Sequence, residues 1–130
     1  MGNRKFLVAI APIAWAFLAS SASAQFYLRD FEAPPLSEAE MNAGIAYIES
    51  NIKMPDGAYA LTDYGRYYAQ ERGIVYAFYA KPWGGEGWKP GVHVVAYDDL
   101  PGVMDGGCDF IDVVYVPSNK AIFAECHGLA

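Results

Sequence analysis

The order of structural patterns along the chain most constrains its fold: one helical pattern is followed only by strand patterns. Five short segments rich in β-branched and aromatic residues come after the helix, separated by turn-forming residues. These predicted strands are residues 64–70, 74–80, 92–97, 108–116 and 121–126. Because helices and strands do not alternate, the pattern predicts an α+β fold, with one N-terminal helix packed on an antiparallel sheet of about four to five strands.

The helix is predicted to begin at Ser37. The sequence Ser37-Glu38-Ala39-Glu40 fits a capping box, in which the serine hydroxyl and the last glutamate each accept a backbone N–H of the other residue. An apolar stripe follows at helical spacing and consists of Met41, Ile45, Ile48 and Ile52. Pro55-Asp56-Gly57 is expected to end the helix. The stripe is therefore predicted to face the sheet.

This order of elements is similar to the cystatin arrangement, in which a sheet wraps around a helix. The similarity concerns architecture only, and a shared architecture implies no activity. Residues 25–130 contain no repeat, low-complexity tract or linker that would indicate a second domain. We therefore interpret residues 25–130 as a single small domain.

Residues 1–24 have the features of a cleaved signal peptide. Arg4 and Lys5 precede an apolar segment at residues 6–18, and the small residues Ala22-Ser23-Ala24 precede the predicted cleavage point before Gln25. The apolar segment is shorter than the about 20 residues that a membrane-spanning helix needs. We therefore expect an exported protein, periplasmic or extracellular, with no stable membrane insertion after the signal is removed.

The charge of the chain excludes two classes of partner. The full chain has a net charge of −6, and removing residues 1–24 takes away Arg4 and Lys5 but no acid, which leaves −8. Nucleic-acid binding needs a basic surface that replaces the counterions of the phosphates. Docking on anionic lipid needs a basic surface as well. We therefore expect neither a nucleic acid nor a lipid surface as partner.

Cys108 and Cys126 are the two cysteines of the chain, and both lie in the exported part. In an oxidising compartment such a pair is expected to form a disulfide. The two residues flank a predicted hairpin with its turn at Pro117-Ser118-Asn119-Lys120, but a simple register does not place them opposite each other. A bulge or a diagonal bridge is therefore expected. A catalytic thiol and a metal site with His127 are the alternatives, and the cysteine and histidine spacings do not match a zinc site.

Residues 81–90 form the first candidate binding site. The segment contains Trp83, Glu86 and Trp88 between glycines and prolines, outside the predicted strands. Two tryptophans on a loop can stack on a sugar or anchor in a partner's pocket, since tryptophan is frequent among binding hot spots. The alternative, which we favour, is that the loop folds back and the indoles cover the end of the sheet.

Two further segments carry charged candidates. Arg66 lies among tyrosines, beside Asp63, and could grip a carboxylate or phosphate, although we favour a surface cation–π contact. Residues 98–109 contain four aspartates that could hold Ca²⁺, but their order does not match an EF-hand loop. Turn formation by aspartate and glycine is the favoured interpretation there. We predict no metal and no cofactor.

No catalytic residues are predicted, because His93 and His127 lack a serine or cysteine nucleophile in a recognisable pattern. The leading hypothesis is a non-enzymatic exported domain that binds a protein, or a cationic partner in the cell envelope, as an inhibitor or accessory subunit. One alternative is a small hydrolase that uses a carboxylate with His93. Another alternative is a sugar or small-molecule binder that uses Trp83 and Trp88.

Overall fold

The structure, a computed structural model, describes residues 33–82, 89–102 and 105–128. The helix α1 spans Glu38–Asn51, and short 3-10 turns lie at Leu61–Asp63 and Tyr97–Asp99. The five strands are β1 Gly65–Glu71, β2 Ile74–Ala80, β3 Gly91–Val94, β4 Gly107–Val116 and β5 Ala121–His127. This composition confirms the predicted α+β fold. The predicted signal peptide, residues 1–24, lies outside the described residues.

The capping box predicted for α1 is present. The hydroxyl of Ser37 accepts the N–H of Glu40 at 3.1 Å, and the carboxylate of Glu40 accepts the N–H of Ser37 at 2.8 Å. Three residues of the apolar stripe are buried, namely Met41, Ile45 and Ile48. Ile52 has an extended backbone and caps the C-terminus of α1. The helix therefore ends shortly before Pro55, as predicted.

The sheet is mixed, with the strand order β3-β1-β2-β4-β5. The pairs β1–β2, β2–β4 and β4–β5 are antiparallel, as expected, whereas β3 pairs with β1 in parallel. Gly65 lies opposite both Ala80, the last residue of β2, and Gly91, the first residue of β3. The strand β3 therefore begins at the end of the sheet where β1 begins and β2 stops. It lies on the side of β1 away from β2 and runs in the same direction as β1.

The helix covers one face of the sheet. The strand residues that point toward α1 alternate with those that point away, and the former build the main core with the apolar stripe. The strand residues that form this core are Tyr68, Val75, Ala77, Tyr79, Ile111, Val113 and Tyr115. Tyr68 and Tyr79 are fully buried. Much of the tyrosine content of the chain therefore belongs to the core.

The other face of the sheet is covered over β2 by the chain that follows β3. Residues 95–102, here called the crossing segment, return across this face. Tyr97 meets the ring of Tyr76 at a centroid distance of 5.1 Å, and Leu100 packs against Phe78 and Phe110. The crossing segment leaves Phe123 of β5 62% exposed. Among the described helices, none has both the length and the apolar character needed to span a membrane.

The predicted disulfide between Cys108 and Cys126 is present, with a Cα–Cα distance of 4.5 Å. The register of β4 and β5 shifts between Gly107 and Ile111, so that Cys126 is opposite Ile111 and Cys108 lies in the irregular stretch. This irregular register agrees with a bulge, which is one of the two arrangements expected from the sequence. The hydroxyl of Tyr64 donates a hydrogen bond to the carbonyl of Cys108, which attaches the irregular stretch to the core.

Candidate functional site

Trp83, Glu86 and Trp88 lie outside the described residues, which stop at residue 82 and resume at residue 89. Their assignment as binding residues therefore stays a prediction, and so does the sugar-binding alternative that depends on them.

Arg66 lies beneath α1 and not at the surface, so the predicted surface position is wrong. The residue is only 9% exposed, because the alternation of β1 places it between Tyr64 and Tyr68 on the covered face. Its Nε donates to the carboxylate of Glu49 at 2.7 Å. Its Nη1 donates to the backbone carbonyls of Leu61 and Tyr64. Protein groups therefore accept hydrogen bonds from both Nε and Nη1 of the guanidinium.

Two buried tyrosines extend this polar cluster. The hydroxyl of Tyr68 donates to the carboxylate of Glu49 at 3.1 Å and shares a hydrogen bond of 2.6 Å with the hydroxyl of Tyr79. Burial raises the pKa of Tyr68 and the pKa of Tyr79 above the ordinary tyrosine value. Within the described residues, every buried polar side-chain atom has a hydrogen-bond partner. The cluster therefore stabilises the contact between α1 and the sheet.

His93 is a half-buried residue of β3. Its ring stacks on the ring of Tyr67 at a centroid distance of 5.0 Å, and its Nε2 lies 2.9 Å from the carbonyl oxygen of Pro90. A contact between a histidine ring and a carboxylate joins Nδ1 of His127 to Asp112 at 2.5 Å. The acid–histidine contact that the hydrolase alternative requires is thus made by the other histidine, and the alternative stays a hypothesis.

Residues 98–109, which contain the four aspartates, include turns where the sequence predicts them. Asp98 and Asp99 are exposed in the second 3-10 turn. Gly106 and Gly107 have φ values of 137° and 55°, which lie in the region that favours glycine. The residues described in this structure contain no group of three or more histidine, cysteine or acidic side chains that could hold a metal ion.

A surface that the sequence analysis missed lies on β4 and β5, on the face turned away from α1. Asp112 is opposite Glu125 and Val114 is opposite Phe123 in the strand register. We call these four residues the β4–β5 patch. They line an open depression of about 490 Å³ together with Ile122 and Ala124. A second depression of about 200 Å³ joins the patch to Tyr97 of the crossing segment.

The β4–β5 patch combines an exposed aromatic ring with two carboxylates. Phe123 offers an exposed ring, and the exposed carboxylate of Glu125 lies on the same face. Asp112 is paired with His127, whose ring contacts Phe78 edge-on. A strongly exposed aromatic side chain with a charged rim is typical of interaction sites. Side chains of a strand alternate between its two faces, so the sequence of residues 121–126 already places Phe123 and Glu125 on one face. The sequence does not show which face is left uncovered.

Comparison of the chain with protein-family models finds no matching family, and comparisons with curated proteins and with solved structures find no match either.

Proposed function

We propose that this protein is a small, exported, non-enzymatic domain that binds a protein partner through the β4–β5 patch. The observation that supports this function is the 62% exposure of Phe123 on a face that neither α1 nor the crossing segment covers. Val114 lies beside Phe123, and the surface continues to the exposed ring of Tyr97. A group of neighbouring apolar side chains favours a protein contact, whereas a single isolated apolar residue would not.

The charge of the domain indicates the chemistry of the partner. Without residues 1–24 the chain has a net charge of −8, and the patch carries Glu125 and Asp112. Opposite charges across an interface steer association and suppress wrong partners. We therefore expect a basic surface on the partner, and an inhibitor or an accessory subunit of an envelope or extracellular protein fits this description.

The disulfide supports a function outside the cytosol. It closes the β4–β5 hairpin at its open end, next to the patch. Disulfides persist in oxidising compartments, where they stabilise small domains. A disulfide-closed hairpin also restricts the backbone that carries Phe123, which lowers the entropy cost of binding.

The test is photo-crosslinking of the exported protein in its native cells. Benzoylphenylalanine replaces Phe123 in one variant and Val94 in the control, because Val94 is 59% exposed on the opposite edge of the sheet. We expect a crosslinked protein adduct from position 123 that is absent from position 94. The purified adduct partner should then bind the Phe123→Ser variant about tenfold or more weakly than the parent, and the Val94→Ser variant unchanged. Equal adducts from both positions, or equal affinities, would contradict the proposal.

A further inference from the structure

The two edge strands of the sheet differ in how well they are protected from pairing. The edge strand β3 has four residues and directly follows Pro90. The other edge strand, β5, has seven residues, contains no proline, lysine or arginine, and includes no buried residue. Natural proteins usually protect edge strands by short length, proline or positive charge, because a free edge offers unpaired N–H and C=O groups. Among the described residues, β5 therefore has the more accessible edge.

The regular part of this edge is long enough to hold another strand. Ala121 to Cys126 pair residue by residue with Val116 to Ile111, and the register shift lies beyond Cys126. Six residues in extended conformation span about 20 Å, which is the length of an ordinary strand. The disulfide at Cys126 fixes the end of this regular part.

The two rows of side chains on β5 define what a neighbouring strand would meet. Phe123 and Glu125 lie on the uncovered face, where both are exposed. Ile122 and Ala124 lie on the opposite face, where they are half-buried against the main core. A basic side chain on the first face would meet the carboxylate of Glu125 and the ring of Phe123, and both contacts are favourable. An apolar side chain on the second face would extend the row of Ile122 and Ala124.

From this arrangement we infer that β5 pairs with an extended segment of the partner in which basic and apolar residues alternate. The inference rests on the proposed function and names the way in which the partner is held: main-chain hydrogen bonds give affinity, and the alternating side chains give specificity. A second copy of this chain is less suitable as the strand that pairs with β5. Its own β5 would bring another Glu125, and no lysine or arginine, next to the carboxylate of Glu125.

The experiment uses the disulfide-bonded domain and a synthetic peptide, acetyl-Lys-Val-Lys-Val-Lys-Val-Lys-amide, followed by NMR. Successive amides of a strand point to opposite edges, so only every second amide of β5 faces outward. We expect the outward amides at residues 121–125 to exchange at least about tenfold more slowly with peptide at saturation. The Glu125→Gln variant should bind about two- to fivefold more weakly, since an exposed ion pair is lost. The control Glu38→Gln removes an exposed acid on α1 and should not change binding.

Three outcomes would overturn the inference. The charge-reversed peptide, with glutamate in place of lysine, could bind equally well. The peptide could leave the exchange of the β5 amides unchanged. The domain alone could dimerise in sedimentation velocity with its outward β5 amides already protected, which would make a second copy the occupant. If the peptide fails while the crosslinks at Phe123 persist, the edge pairing is refuted and the proposed function stands, whereas loss of the crosslinks refutes the proposed function itself.

Discussion

Replacing one member of the Arg66–Glu49 pair should destabilise the fold, and replacing both should cost less than the two single changes together. The side chains of Arg66 and Glu49 are 11% and 21% exposed, and Nε of Arg66 lies 2.7 Å from the carboxylate. Arg66→Met removes the partner of that carboxylate and also two hydrogen bonds to backbone carbonyls. Breaking a fully buried pair costs about 3–5 kcal/mol.

The expected losses of unfolding free energy depend on how far the side chains of Arg66 and Glu49 are exposed to water. We expect about 3 kcal/mol for Arg66→Met, the lower end of that range, because water still reaches part of Glu49. We expect about 2 kcal/mol for Glu49→Met, since the guanidinium keeps its backbone carbonyl partners. The double variant should cost about 3 kcal/mol, because neither change then leaves an unpaired charge. The coupling free energy between the two positions is therefore expected to be about 2 kcal/mol.

Urea unfolding of the parent, both single variants and the double variant, followed by circular dichroism, measures these free energies. Lys53→Met is the control, because Lys53 is exposed and its replacement should change stability by less than about 0.5 kcal/mol. If the two single effects add to within about 0.5 kcal/mol, the argument that each charge depends on the other is refuted. A changed slope of the unfolding curve would show instead that the substitutions alter the denatured state.

Three further predictions concern stability. Cys108→Ala with Cys126→Ala should lower the free energy of unfolding by about 3 kcal/mol, given the sequence separation of 18, and a loss below about 1 kcal/mol in urea titrations would contradict this. Ser37→Ala should cost about 1 kcal/mol and lower the thermal midpoint, because the cap of α1 is lost; an unchanged midpoint would argue against the capping role. Because burial raises the pKa of Tyr68 and Tyr79, the stability they contribute is complete below about pH 10 and is lost as pH rises further. Phenolate absorbance should therefore show these two tyrosines ionising only together with unfolding, and their ionisation without loss of circular dichroism would disagree.

The elements that depend on local sequence were predictable. The capping box and apolar stripe specify α1, and the Arg72-Gly73 turn, in which both residues have positive φ, joins β1 to β2 where the sequence places it. The disulfide and its bulge followed from the position of the cysteines around the last turn. These features depend on residues within one element or within one hairpin, so a single sequence contains their signal.

The features that depend on distant packing were not predictable. The parallel pairing of β3 depends on which side of β1 the chain returns to, and no local pattern encodes that choice. The burial of Arg66 depends on Glu49, which is on another element and reaches it only after α1 has docked. The exposure of the β4–β5 patch also depends on distant packing. The alternation of Phe123 and Glu125 is visible in the sequence, but whether their face stays exposed depends on where the crossing segment packs.

The crossing segment also affects how the domain behaves before it is fully folded. It is attached to the sheet by Tyr97, by Leu100 and by a backbone hydrogen bond from Val95 to Tyr68. Segments with few buried contacts open at a lower free energy than the strands beneath them. Opening of the crossing segment would expose more of Phe78 and Phe110 while the strands stay paired. Such a partly open state would be prone to aggregation. The solubility of the newly synthesised chain should therefore depend on Leu100 more than on the overall stability of the domain.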